Sequence, residues 1–300
     1  MGWPRRMFEP DEIYFVTVRC LQGRLFLRPS ERTNQVLGGV LARAVRLTGV
    51  ELFAFAFASN HVHLLLRAPR ANLPRFMQHL LSNISKKIGA IIGWRGAFWE
   101  RRYSSEPVLD HEALLDRIRY ILAHGVKEGL VRMCREWPGL SSLPMMLDGV
   151  SREFRWYSWS DRWKHRSNMR PCSRFDHRCS KAESLALTPV PLPAFQDGRT
   201  RGQLLERMVK AIEEAARKAH PRVLGRAAVL AQRPQHRPER PDRSPRPICH
   251  AGALALLKEY RARYRAFVSW FVKASLRWRS GDFSVPFPAR ASRPIVALDA

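Results

Sequence analysis

Short apolar runs alternate with segments of helical period along the first half of the chain. IYFVTVRC (13–20) is rich in β-branched and aromatic residues and predicts a strand. Ser30 predicts a helix N-cap, because Val36, Leu37, Val40, Leu41 and Ala44 follow at helical spacing, and Gly49 predicts that helix's end. ELFAFAF (51–57) alternates Phe with Ala, the period of two that a strand requires. Ser59-Asn60 predicts a turn, and HVHLLLR (61–67) the returning strand. Asn72 opens a second helix with Leu73, Phe76, Met77, Leu80, Leu81, Ile84 and Ile88 on its buried face. The basic, aromatic stretch RGAFWERRYSSEPV (95–108) contains a further strand. Asp110 then predicts the cap of a third helix, HEALLDRIRYILAH (111–124), which Gly125 stops. Strand, helix, strand-turn-strand, helix, strand, helix implies an α+β domain around a mainly antiparallel sheet.

The pattern changes after about residue 147. EFRWYSWSDRWKHRS (153–167) is dense in Trp and Arg, residues 201–219 have amphipathic helical spacing, and a last helix is predicted near 251–277. RPQHRPERPDRSPRP (233–247) is too rich in Pro and Arg to bury a core. The expected organisation is therefore residues 1–147 as one α+β domain and 148–300 as a mostly helical or irregular basic extension, with a Pro/Arg-rich linker at about 225–250. No internal repeat is present.

Charge narrows the partner. Among 300 residues, 52 Lys and Arg face 26 Asp and Glu, a formal net charge of +26. So much charge of one sign predicts a polyanionic partner, nucleic acid ahead of an anionic membrane surface. The five cysteines, Cys20, Cys134, Cys172, Cys179 and Cys249, form no CxxC pair, which suits reduced thiols. No apolar stretch follows MGWPRRMFEP, so no signal peptide is expected, and no apolar run is long enough to cross a membrane. The expected location is cytoplasmic.

The chemistry concentrates in FASNHVHLLLRAP (57–69), where His61 and His63 interrupt an apolar run. Alternate strand residues share a face, so His61, His63 and Leu65 look one way and Val62, Leu64 and Leu66 the other. Two imidazoles so placed can chelate a divalent metal. Equally, they can be partly exposed histidines hydrogen-bonded to backbone. On the third helix the core face is Leu114, Leu115, Ile118, Ile121 and Leu122. Tyr120 and His124, one turn apart, lie off that face, as either a surface pair or a nucleophile beside a metal ligand. CSRFDHRC (172–179) offers Cys172, Asp176, His177 and Cys179, but without the paired spacing of a zinc site.

At this point the residues resemble a family. SNHVHLLL resembles the HUH motif (His, hydrophobic residue, His) of the single-tyrosine transposases, in particular the REP-associated and IS200-like groups. GAFWERRY (96–103), YILAHGVKEGLV (120–131) and EWPGLSS (136–142) follow in that family's order, and the resemblance covers roughly residues 10–145. It implies a ferredoxin-like antiparallel sheet with helices, the HUH endonuclease fold. It also implies that Tyr120 attacks a DNA phosphodiester, leaving a 5′-phosphotyrosine and a free 3′-OH. His61 and His63 then hold Mg²⁺ or Mn²⁺, and the substrate is single-stranded DNA folded into hairpins. Ionising an ordinary tyrosine, of pKa about 10, costs roughly 4 kcal/mol at pH 7, so such a site must supply charge stabilisation.

Where the family has Asn-Pro, this chain has His124-Gly125. His124 stands where related enzymes place a third polar metal ligand; alternatively it caps the helix end. Exposed Lys86, Lys87, Arg95, Arg101 and Arg102 are the expected DNA grip, with Trp99 and Tyr103 interleaved to stack on unpaired bases. For Trp99 core packing competes with stacking, and for Lys86 and Lys87 a solvated helix face competes with DNA contact. Two other functions stand beside the transposase reading: a nucleic-acid-binding relative that has lost catalysis, and a metal-dependent nuclease that does not use the tyrosine.

Overall fold

The computed structural model describes residues 5–164, 175, 177–239, 247–289 and 291. Seven elements carry the site: β1 (Ile13–Arg19), α1 (Glu31–Thr48), β2 (Glu51–Phe57), β3 (His61–Arg67), α2 (Leu73–Ile92), β4 (Ser104–Val108) and α3 (His111–Leu122). The strands form one sheet in the order β2-β3-β1-β4, with every neighbouring pair antiparallel. A β-α-β-β-α-β chain path with that order is the ferredoxin-like arrangement.

The local causes are those the residue types dictate. Ser30 caps α1 by accepting from the Thr33 N–H, and Asp110 caps α3 by accepting from the Ala113 N–H at 2.8 Å. Gly49 and Gly93 end α1 and α2 in the left-handed region. Side-chain alternation then divides the sheet. Val16, Val18, Val62, Leu64 and Leu66 face the core shared with α1 and α2. Phe15, Phe53 and Leu65 face a second core with α3. A register shift between Leu52 and Ala54 sends both Phe53 and Ala54 to that second face.

The third helix is shorter than its spacing predicts. Its last regular residue is Leu122, and Ala123 ends it; His124 N–H donates to the Ile121 carbonyl at 3.3 Å, a tightened final turn. Gly125 follows at φ +95°, and a Cβ there would lie 2.8 Å from the Trp137 ring. His124 therefore sits in the turn after the helix rather than on its surface stripe.

The remaining elements are α4 (Leu143–Asp148), β5 (Arg152–Tyr157), α5 (Trp159–Lys164), β6 (Ser180–Leu185), α6 (Pro193–Gln196), α7 (Gly198–Ala219), α8 (Arg226–Ala231) and α9 (Leu254–Arg279). Several of them extend the two existing cores. The β5–β6 hairpin lies against α1, where a Cβ on Gly39 would come within 2.1 Å of the Arg155 carbonyl oxygen. Buried Glu183 on β6 fastens it to α1 through Arg43 and Arg46, each at 2.8 Å. Val190, Leu192, Phe195, Leu205, Met208, Ile212 and Val229 join the α3 core. Among the described residues no helix is long and apolar enough to cross a membrane. Cys172, Asp176 and residues 240–246 of the Pro/Arg stretch lie outside the described residues.

Candidate metal centre and tyrosine site

His61 and His63 stand two apart on β3 and point to the α3 side of the sheet, as strand geometry requires. The turn after α3 brings His124 to them. The three ring centroids are 4.7, 4.7 and 4.8 Å apart, and one ligand atom from each residue lies within 4.8 Å of the others. His124 Nε2 is 2.8 Å from His61 Nε2. His63 and His124 are buried and His61 partly so, deeper than the partly exposed arrangement that the motif alone left open.

Neighbouring polar groups orient the rings. Asn60 Nδ2 donates to the Gly23 carbonyl, which turns its Oδ1 toward His61 Nδ1 at 2.6 Å. His61 Nδ1 therefore carries the proton and its Nε2 the lone pair. Thr17 Oγ1 lies 2.9 Å from His63 Nδ1; with the hydroxyl accepting, His63 Nε2 keeps its lone pair as well. His63 Nε2 and His124 Nδ1 are buried without a hydrogen-bond partner. Buried nitrogens left unpaired are costly unless something satisfies them, and the three imidazoles are a donor set that a divalent cation fits.

Electrostatics agree. Burial, then Arg19 and Lys127, lowers the His61 pKa to about 3. Burial, then His61, holds both His63 and His124 well below the usual imidazole value, with His124 itself adding to the effect on His63. All three are neutral at physiological pH, the form that binds metal.

Tyr120, half-buried near the end of α3, meets the triad edge-on: its ring centroid is 5.1 Å from that of His63 and 5.7 Å from that of Phe15. Lys127 Nζ lies 3.3 Å from the Tyr120 ring centroid, and Arg117 Cζ 5.1 Å. Tyr120 and the three histidines open into one cavity of about 510 Å³, which Arg19 and Arg101 also line. Neutral nitrogens, a phenol and two guanidinium groups lining one space suit an oxyanion.

The expected DNA-contacting residues divide. Lys86, Arg95 and Arg102 are exposed, and Arg101 is half-buried in the cavity wall. Lys87 is not exposed: it is 3% accessible, donates to the Tyr157 carbonyl, and lies over the rings of Trp156 and Trp159 at 4.3 and 4.6 Å. Tyr103 is likewise buried, with Arg6 stacked 3.6 Å over its ring. Trp99 packs against the first core and donates from Nε1 to the Leu81 carbonyl at 3.1 Å, the packing alternative. Sequence reasoning passed over Thr17, Asn60, Arg19 and Lys127. Thr17 carried a signal, a short polar residue between Val16 and Val18 in a strand otherwise apolar on both sides.

Residues 13–124 match the family described as IS200-like transposases. The likeness to that family is confined to this span of the chain. The matched span runs from the first residue of β1 to His124, so Tyr120 and all three histidines lie within it. Two solved structures are similar. One is a REP-associated tyrosine transposase bound to a REP hairpin, 18% identical, covering 49% of this chain and 86% of that one, with a TM-score of 0.44. The other is a candidate transposase from Deinococcus radiodurans R1, 20% identical, covering 40% and 95%, with a TM-score of 0.29. No curated protein matches the chain.

Proposed function

We propose that the chain nicks and rejoins single-stranded, hairpin-bearing DNA through a 5′-phosphotyrosine at Tyr120, with Mg²⁺ or Mn²⁺ held by His61, His63 and His124. The observation that carries this reading is the Tyr120 ring standing 5.1 Å from His63, in the cavity into which the three imidazoles open. The match of residues 13–124 to the IS200-like transposase family and the net charge of +26 support DNA as the substrate.

In the forward step Tyr120 Oη forms a bond to the scissile phosphorus and the P–O3′ bond breaks. The phenolic proton leaves to solvent and the departing 3′ oxygen takes one up, so charge and atoms balance. The phosphodiester is replaced by a phosphotyrosine ester, which keeps the phosphate activated for a second strand's 3′-OH; that attack restores Tyr120. A bound divalent ion supplies polarisation of the scissile phosphate. Lys127 and Arg117 hold positive charge against the Tyr120 ring, Arg19 lines the cavity, and Thr17 and Asn60 fix the rings of His63 and His61.

The test is covalent capture. A 3′-labelled single-stranded hairpin with flanking nucleotides is incubated with full-length protein and Mn²⁺, and label migrating with denatured protein is counted. Wild type forms the adduct and Tyr120→Phe forms none. Equal adduct from Tyr120→Phe, or cleavage that never attaches protein and survives that substitution, overturns the reading in favour of a nuclease. Binding without any cleavage across a hairpin library overturns it in favour of an inactive DNA-binding relative.

A further inference from the structure

β4 is an outer strand of the sheet, and a second cavity of about 420 Å³ runs along it. Arg101 lines both this cavity and the one that holds Tyr120 and the histidines, so the two share a wall. The register shows how close they are. His63 is paired with Thr17, and Thr17 with Ser104, which lines the second cavity. Two interstrand spacings of about 4.8 Å put Ser104 roughly 10 Å from the backbone of His63.

The lining has two characters. Arg5, Arg6, Arg101 and Arg102 bring four guanidinium groups, against the single carboxylate of Glu106, which His250 Nε2 faces at 3.9 Å. The other walls are flat and largely apolar: Tyr103 and Tyr260 are buried, and the Tyr260 and Tyr264 rings stack at 6.3 Å with 16° between planes. The cavity is also held in shape. Tyr264 Oη donates to the Arg5 carbonyl at 2.8 Å, and Arg6 Nη2 to the Tyr103 carbonyl at 2.6 Å. One polar atom is left over. Tyr103 Oη is buried without a hydrogen-bond partner, and its residue lines the cavity. An unpaired buried hydroxyl on a residue that lines a cationic, aromatic space suits a ligand with a polar edge, a flat face and negative charge.

The geometry points to this cavity as a receptor for one unpaired deoxynucleotide of the DNA strand that enters the tyrosine site. The base lies among the tyrosine rings, its edge meets Tyr103 Oη, and its phosphate meets Arg101 and Arg102. The volume is within the roughly 300–1,000 Å³ of small-ligand sites. This inference rests on the DNA-processing reading, and the receptor only partly overlaps the matched span: Arg101, Arg102 and Tyr103 lie within residues 13–124, whereas Arg5, Arg6, Tyr260 and Tyr264 lie outside it.

The experiment is equilibrium binding of full-length protein to the four deoxynucleoside monophosphates and, separately, to inorganic phosphate, by calorimetry. At least one nucleotide binds tenfold or more tightly than phosphate. Arg102→Glu, a change at an exposed residue, weakens it at least tenfold, and Tyr103→Phe weakens it several-fold while keeping the ring. A single-stranded hairpin oligonucleotide with flanking nucleotides displaces the bound nucleotide. Absence of nucleotide binding, equal affinity for phosphate, indifference to Arg102→Glu, or failure of the oligonucleotide to compete overturns the proposal. None of these measurements needs strand cleavage. Binding without covalent adduct therefore sinks the Tyr120 reading alone, and adduct without nucleotide binding sinks the receptor alone.

Discussion

His124 Nε2 lies 2.8 Å from His61 Nε2, although 63 residues of chain separate them. One comes from a strand and the other from the turn that ends α3, so the triad is complete only when α3 is docked on the sheet. The ring of His63 completes it, 4.7 Å from His61 and 4.8 Å from His124. On the proposed reading, metal affinity would therefore be a readout of that docking.

Thr17 is the sharpest test of how the triad is oriented. Its hydroxyl hydrogen-bonds with His63 Nδ1, so Thr17→Val removes an orienting contact while keeping volume and strand propensity. Mn²⁺ affinity, followed by electron paramagnetic resonance of the free ion, should fall about 10- to 100-fold with the far-ultraviolet circular dichroism unchanged. Unaltered affinity would remove Thr17 from the site.

The lowered histidine pKa values fix a pH dependence. The unfolded chain takes up protons on its histidines near pH 6.5, whereas folded His61 resists until about pH 3 and its two partners also resist. Between those values the unfolded state binds more protons, so metal-free stability falls as pH drops from about 6.5 toward 3. Carboxylates titrate over part of the same range, so the informative quantity is the difference between wild type and His61→Gln in urea midpoints. The variant should have the shallower slope below pH 6.5; parallel slopes would contradict the burial argument.

Lys86 and Lys87 are adjacent in sequence and should behave oppositely. Lys87→Ala removes a buried hydrogen bond and two cation–aromatic contacts, an expected loss of about 2–4 kcal/mol in denaturant unfolding, with no change in the salt dependence of DNA binding. Lys86→Ala should leave stability within about 0.5 kcal/mol. If Lys86 contacts a phosphate, the log–log salt slope on single strands shrinks by about 0.7. Burial lowers the Lys87 pKa to about 8, so wild-type stability should also gain as pH rises from 8 toward 10.5, and Lys87→Met should lose that gain.

Gly39→Ala separates helix propensity from tertiary contact. An alanine in mid-helix favours α1 by about 1 kcal/mol. Here its Cβ would meet the Arg155 carbonyl oxygen at 2.1 Å, so the β5–β6 hairpin must move. Overpacking of this kind costs up to about 3 kcal/mol, so a net loss of about 1–2 kcal/mol is expected from chemical denaturation. A variant as stable as wild type would mean that the hairpin does not rest on α1.

Much of the fold was legible in the residues because its elements are locally specified. Two-residue alternation marks β2 and β3 with the ends that the structure gives them, and Ser30, Asp110 and Gly49 announce their helix ends. The rest depended on partners distant in sequence. Lys87 looked like a solvated face because nothing near it predicts the Trp156 and Trp159 rings, roughly 70 residues later, that cover it. Tyr103 looked available for stacking because Arg6, which covers it, comes from the chain's first residues.

By itself the sequence determined the strand and helix order, the shared face of His61 and His63, and the positive charge that selects a polyanion, since each follows from period, caps or composition. Only the tertiary structure decided that His124 leaves its helix to meet them, that Thr17 and Asn60 set their rings, and that Lys127 covers Tyr120. Those depend on packing between segments far apart in the chain, where a fraction of a turn or one cross-strand register step decides which side chains meet.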